Sequence, residues 1–227
     1  MTELPIIAGI LASILHVVSG PDHLAAVTPF AIETKRKVWR IGFYWGAGHL
    51  IGMLIIGMLF LAFKKVIPVE AISGYSEQLV AIVLIAIGLW TLYKLFHKEK
   101  IHTRPHIHAD GEIYIHKHDD AHEHNHPTKE NKNNISSSFS IGVLHGLAGV
   151  AHFLLLLPAL GFATQSESIQ YNIGFAIGTV LAMTVYTIIL GGITKSSSNN
   201  KSLLNTIRVS GGAFALVVGV YWLYLSL

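Results

Sequence analysis

The chain has 227 residues, of which 52% are hydrophobic and 13% charged, with a net charge of +3 and no cysteine. A soluble domain carries about a quarter of its residues as charges, so this composition excludes an ordinary soluble enzyme or nucleic-acid-binding domain and points to the bilayer. The absence of cysteine removes disulfides, thiolate metal sites and intramembrane thiol relays.

Apolar stretches long enough to span a bilayer, about 20 residues each, fall near 5–32, 38–63, 75–96, 138–161, 169–192 and 203–226. They predict an all-α integral membrane protein of six transmembrane helices. The first stretch has no basic region before it and carries Pro-Asp-His where a small-residue cleavage site would stand, so it reads as a retained helix and not as a signal peptide. Three units follow: a three-helix repeat over 1–96, a polar loop over 97–136 and a second three-helix repeat over 137–227.

The first helix contains His16-V-V-S-Gly20-Pro21-Asp22-His23. Seven residues return to nearly the same helical face, so on an unbroken helix His16 and His23 would stand about 10 Å apart, too far to share a small ion. Pro21 lacks an N–H and Gly20 permits unusual dihedrals, so a break is predicted here that draws the imidazoles together. The second helix carries His49 in F-Y-W-G-A-Gly48-His49.

The loop gathers nine of the 14 histidines between His97 and His126. Its biased composition makes a packed core improbable and suggests a metal-buffering tract of His106, His108, His116, His118, His122, His124 and His126. Asp110-Gly111 predicts a two-residue hairpin turn, which would set His106 and His108 on the face opposite His116 and His118.

The fourth helix repeats the opening motif as His145-G-L-A-Gly149-V-A-His152, offset by 129 residues, and Pro29 matches Pro158 at the same offset. Gly48-His49-L-I-G-Met53 matches Gly178-Thr179-V-L-A-Met183, and Gly88-L-W-T-L-Tyr93 matches Gly219-V-Y-W-L-Tyr224. Three spans per half is an odd number, so the halves enter from opposite faces. The expectation is a 3+3 inverted repeat with broken first and fourth helices around a midplane site.

Charge asymmetry sets the orientation. All Lys and Arg except Lys64 and Lys65 fall on the side of the 33–37, 97–136 and 193–202 loops. The positive-inside rule then places both termini outside and the histidine-rich loop in the cytoplasm of a multi-pass protein of the cytoplasmic membrane.

Intramembrane histidine and aspartate are costly, about 2.5–3.5 kcal/mol for Asp on insertion scales, and no Lys or Arg lies at matching depth to compensate Asp22. A dehydrated cation would. Imidazole and carboxylate without thiolate suit Ni²⁺, Co²⁺ or Zn²⁺. The candidate transport site is His16, Asp22, His23, His49, His145 and His152, with the metal on the first motif and gating or a supporting ligand on the second, which lacks the Pro-Asp.

At these residues the chain resembles the nickel/cobalt transporter group and, more closely, UreH-like membrane proteins. H-V-V-S-G-P-D-H-L-A-A-V resembles the group's first motif, F-Y-W-G-A-G-H-L its second, and V-L-H-G-L-A-G a second-half motif of the UreH-like proteins. The resemblance implies nickel or cobalt transport with His16, Asp22, His23 and His49 as ligands.

The expected function is therefore secondary transport of a divalent metal, nickel or cobalt first, with uptake ahead of efflux. The alternatives are an exporter of zinc, iron or manganese, or a non-transport membrane haem or zinc protein. No catalytic set and no prosthetic group is expected, and the chain is not expected to be an enzyme, since no H-E-x-x-H occurs and an acid–base partner beside a metal is lacking. The expected partners are the metal ion, membrane lipid, a cytoplasmic metallochaperone and a second copy of the chain, with no nucleic acid.

Overall fold

The computed structural model describes residues 4–34, 36–63, 69–97, 106–107, 113–114, 129–148 and 161–227. Among these are seven helices: α1 (Leu4–Ser19), α2 (Pro21–Glu33), α3 (Trp39–Phe63), α4 (Val69–Phe96), α5 (Lys129–Ala148), α6 (Gln165–Ser196) and α7 (Lys201–Leu225). Two residue pairs, β1 (His106–Ile107) and β2 (Ile113–Tyr114), form a minimal antiparallel ladder.

Four helical segments are long and apolar enough to cross a membrane: Trp39–Leu59, Glu77–Phe96, Gln165–Ser196 and Lys201–Leu225. A fifth span results if α1 and α2 are taken together, bent by 73°. Of the predicted fourth stretch, residues 149–160 lie outside the described residues, and the helix that enters it begins earlier than the apolar pattern, at Lys129.

The break between α1 and α2 sits where the sequence placed it. Gly20 is extended, with φ −91° and ψ 92°, and Pro21 opens α2, where a missing N–H costs no helical hydrogen bond. Gly20 N–H closes α1 by donating to His16 C=O at 3.0 Å. Beyond the break, α2 forms the centre of the bundle, and every residue from Ala25 to Ile32 is buried.

Around it, small residues let the outer helices approach one another closely. Between α3 and α5, a Cβ on Gly48 would strike the Phe139 carbonyl oxygen, one on Gly52 that of Val143, one on Gly142 that of Trp45 and one on Gly146 that of His49. Both helices therefore present small-xxx-small faces, the pattern that drives association where no hydrophobic effect operates. The α1–α6 contact uses the same device, with Gly9 against Tyr171, Gly174 against Ile6 and Gly178 against Ser13. The third close pair is α4 with α7, where Gly88 faces Gly212 and Leu216, and Gly219 faces Ala81 and Ile85. Large apolar side chains such as Leu54 and Val217 point outward, as expected of a lipid-facing surface.

One end of the bundle is tied by charge. Glu33 at the end of α2 binds Lys94 of α4 at 3.3 Å and Arg208 of α7 at 3.1 Å. Beside it Asn134 Nδ2 of α5 donates to Thr34 Oγ1 at 3.3 Å. The ends of α2 and α4 and the beginnings of α5 and α7 thus share one face. On the other face Gln78 Nε2 of α4 donates to Ser226 C=O beyond α7 at 2.9 Å.

The β pairing differs from the sequence expectation. His106 pairs with Tyr114 and Ile107 with Ile113, whereas a two-residue turn at Asp110-Gly111 would pair Ile107 with Tyr114. This register is shifted by one relative to a two-residue Asp-Gly turn; His108, His116 and His118, on which the expected histidine faces depend, lie outside the described residues.

Candidate metal centre

Four helices converge at the break. The last turn of α1 brings His16, the first turn of α2 brings Asp22 and His23, α3 brings His49 and α5 brings His145. Asp22, His23, His49 and His145 are buried, and His16 is partly so.

The 73° bend removes the separation of about two helical turns (~10 Å) expected of an unbroken helix. The His16 and His23 ring centroids stand 4.6 Å apart, edge to face. His23 is the hub, with its ring 5.3 Å from that of His49 and 4.8 Å from that of His145.

Asp22 bridges the two halves of the chain. His23 Nδ1–H donates to Asp22 Oδ1 at 3.0 Å, and His145 Nε2–H donates to Asp22 Oδ2 at 2.8 Å. Both carboxylate oxygens are therefore engaged, and each hydrogen bond fixes a tautomer. A neutral His23 that donates from Nδ1 presents the lone pair of Nε2, and a neutral His145 that donates from Nε2 presents that of Nδ1. This is the carboxylate–histidine arrangement that orients metal ligands.

Two overlapping groups have one ligand atom per residue within 4.8 Å of one another: His16 with His23 and His49, and Asp22 with His23 and His145. His23 belongs to both. Imidazole nitrogens and a carboxylate suit a borderline divalent ion, whose charge would balance Asp22, which among the described residues pairs with histidines and with no Lys or Arg.

Trp45, one turn before His49 on α3, walls the cluster. Its ring stacks on His49 at 5.0 Å and 9°, and lies 5.4 Å from both the His23 and His145 rings. Behind it the contact of Gly146 with the His49 backbone sets how closely α5 carries His145 toward α3.

A cavity of about 340 Å³ reaches the cluster. Its lining includes His16, Asp22, His23 and His145 at the inner end and Glu77, Trp222 and Leu225 at the outer end. His49 is fully buried and does not line it.

Five of the six predicted transport-site residues are thus brought together, and His152 lies outside the described residues. Of the loop histidines, His106 sits in β1, whereas His108, His116, His118, His122, His124 and His126 lie outside the described residues. His145, expected in gating or as a supporting ligand, stands in direct contact with Asp22. Sequence reasoning missed Trp45 and Glu77. The signal for Glu77 was present, since it is the only carboxylate besides Asp22 within the six apolar stretches.

Residues 5–221 match the family described as cytochrome C biogenesis protein transmembrane region. The chain is 32% identical to the urease accessory protein UreH of Bacillus sp. (strain TB-90) over 220 residues, 95% of this chain and 89% of the relative. It is also 31% identical to the chloroplast proteins FOR GROWTH AND FERTILITY 1 and 2 of Arabidopsis thaliana, over 83% of this chain in each case. The chain spans about half the length of these two chloroplast relatives, 50% and 47%. No solved structure matches. The UreH and biogenesis relatives are named for supporting roles and not for a catalysed reaction.

Proposed function

Because the chain belongs to the family of cytochrome C biogenesis protein transmembrane regions and matches UreH over nearly its whole length, we propose that this multi-pass membrane protein is a secondary transporter of a divalent transition-metal ion. The observation that carries the reading is the convergence of His16, Asp22, His23, His49 and His145 at a helix break. Nickel and cobalt are the first candidates, given the nitrogen-rich donor set and a relative named as a urease accessory protein. Thiol–disulfide chemistry is closed to a chain without cysteine.

The packing supports an inverted repeat. Exchanging the halves maps the α1–α6 contact onto the α5–α3 contact, and both are close glycine-mediated contacts, while α4–α7 maps onto itself. In such folds the halves rock around a fixed midplane site. The metal enters the cluster and displaces the Asp22 hydrogen bonds or uses the lone pairs they orient. The halves then move to expose it on the other face.

The Glu33–Lys94–Arg208 face, rich in cations and continuous with the histidine-rich loop, is the cytoplasmic face by the positive-inside rule. Inward movement of a divalent ion then gains about 4.6 kcal/mol per 100 mV, two charges at about 2.3 each, so uptake runs on the potential alone. The loop histidines collect the arriving ion, for transfer to a cytoplasmic metallochaperone.

Counterflow in proteoliposomes across Ni²⁺, Co²⁺, Zn²⁺, Mn²⁺ and Fe²⁺, with pH gradients of each sign, tests the reading. Saturable exchange of Ni²⁺ or Co²⁺ is expected, and absence of exchange for all five contradicts it.

A further inference from the structure

We infer that Trp45 is the barrier on the far side of the metal cluster: its indole shuts the cluster off from the Glu33 end of the bundle, and a bound cation passes in that direction only when the ring moves aside. This role rests on the transport reading for its purpose and on the packing alone for its geometry.

The cavity of about 340 Å³ reaches His16, Asp22, His23 and His145 from the end of the bundle where Trp222 and Leu225 stand. That end is opposite Glu33, because Leu225 closes α7 whereas Arg208, 17 residues earlier and about 25 Å away at 1.5 Å per residue, binds Glu33. Trp45 lies on the other side of the cluster. Helix α3 starts at Trp39, five residues beyond Thr34 at the Glu33 face, so Trp45 stands about 9 Å into the helix and His49 about 15 Å. An ion that leaves the cluster toward Glu33 therefore meets the indole next.

The ring is placed as a lid. It is fully buried, stacks on His49 at 5.0 Å and lies 5.4 Å from both the His23 and the His145 rings. It belongs to the same apolar cluster as Val27, Phe30 and Ile41, a layer that a divalent ion does not enter without ligands. Two further observations mark it as a moving part. Its buried Nε1–H has no acceptor among the described residues, so this position leaves the one polar group of the indole unsatisfied, a cost that movement toward a polar partner relieves. Its repeat counterpart is Phe175, in the same match that pairs Gly48 with Gly178, and Phe175 stacks on His16 at 6.0 Å and 29°. Each half thus lays an aromatic ring of its second helix on the histidines, and inverted halves set the two rings on opposite sides of the cluster. With the cavity on the His16 side, the Trp45 side is the one that is shut.

The test uses the full chain, whose cysteine-free sequence lets one introduced thiol report access. Ser138 is fully buried on α5, donates to Ile41 C=O at 2.8 Å and stands seven residues before His145, about 10 Å nearer the Glu33 face. In detergent, the Ser138→Cys thiol reacts with trimethylammonium-ethyl methanethiosulfonate through transient opening; Trp45→Ala is expected to speed the reaction about tenfold, and Trp45→Phe to leave it within about threefold. Thr91→Cys, buried on α4, is expected to keep its rate in each background, since a general loosening would raise both. An unchanged Ser138→Cys rate, or a Thr91→Cys rate that rises equally, overturns the inference whether or not the protein transports metal. Should Trp45→Ala fail to insert, Trp45→Leu must raise the Ser138→Cys rate about threefold or more, and an unchanged rate counts equally against the barrier. In proteoliposomes a lost barrier and a damaged binding site give opposite signs. Trp45→Ala is expected to raise downhill Ni²⁺ flux about threefold or more while abolishing counterflow, and Trp45→Phe to retain counterflow. Loss of flux and counterflow together overturns the role of Trp45, whereas a wild type that moves no Ni²⁺ overturns the transport reading.

Discussion

His145 Nε2 lies 2.8 Å from Asp22 Oδ2 across 123 residues of sequence, so the carboxylate of the first helical pair is held by the second half of the chain. His23 holds the other oxygen at 3.0 Å. The site is therefore a joint product of both halves, and its charge is centred on one residue.

Asp22→Asn keeps the shape of the side chain and removes the negative charge that balances a divalent ion. It also leaves one of its two atoms unable to accept from a histidine. Orienting partners of metal ligands are worth about 10- to 100-fold in affinity. Metal affinity of the purified variant is expected to fall by at least that, measured by equilibrium dialysis, with insertion and helicity unchanged. His145→Ala is expected to cost about as much, because it removes a ligand and frees the carboxylate.

Gly20→Ala adds a methyl that would stand 2.5 Å from His23 Nδ1 and 3.0 Å from Asp22 Oδ1. The obstructed atoms are the ends of side chains and not backbone, so the helices can stay in place while the Asp22–His23 bond is pushed open. Loss of metal binding without loss of thermal stability is the expected outcome, read by dialysis and by the melting of the far-ultraviolet circular dichroism. A fully active Gly20→Ala protein counts against the site as built here.

Gly146→Ala is expected to do the reverse. Its Cβ meets the His49 backbone carbonyl and lies 2.9 Å from Met53 N, so α5 must move away from α3. Overpacking of this kind costs about 1–3 kcal/mol. The melting temperature in detergent should fall first, with metal affinity following because His49 and His145 separate.

This division between side-chain and backbone obstruction marks what the sequence made legible. The break was readable because Gly20-Pro21 carries its own covalent reasons, and the drawing together of His16 and His23 follows from local geometry. The apolar stretches gave the helices for the same local reason. The contact of Asp22 with His145 was not readable. It depends on how far α5 slides against α3, which Gly48, Gly52, Gly142 and Gly146 decide jointly. Trp45 was missed because an aromatic one turn from a histidine is ordinary in a membrane helix, and only the 9° stacking marks it as a wall of the site. The hairpin register failed because Asp110-Gly111 is only a local turn signal, while the pairing of Ile107 with Ile113 is shifted by one from the register that a two-residue turn there would set.

Protons compete with metal at this cluster, because an imidazole nitrogen must be free of its proton to coordinate. Lowering the pH on the metal-binding side is expected to raise the half-saturating Ni²⁺ concentration, by up to about tenfold per pH unit for each proton displaced. A Ni²⁺ titration of initial uptake rate at several pH values checks this, and an affinity that improves on acidification contradicts it.

Deleting residues 102–126 removes eight histidines and leaves the five gathered at the break untouched, namely Asp22 and its four neighbouring histidines. Uptake should persist at a comparable maximal rate, with less metal retained per protein at equilibrium. Abolished transport in a correctly inserted deletion variant would move the essential site into the loop.

The most direct test of the central claim is initial ⁶³Ni²⁺ uptake into proteoliposomes under an inside-negative potential, comparing wild type with His23→Ala. His23 is common to both ligand groups found among the described residues and is fully buried, so neither group survives its loss. The account predicts saturable uptake by the wild type and no uptake above empty liposomes by an inserted, folded His23→Ala protein. Equal uptake by the two proteins would contradict it.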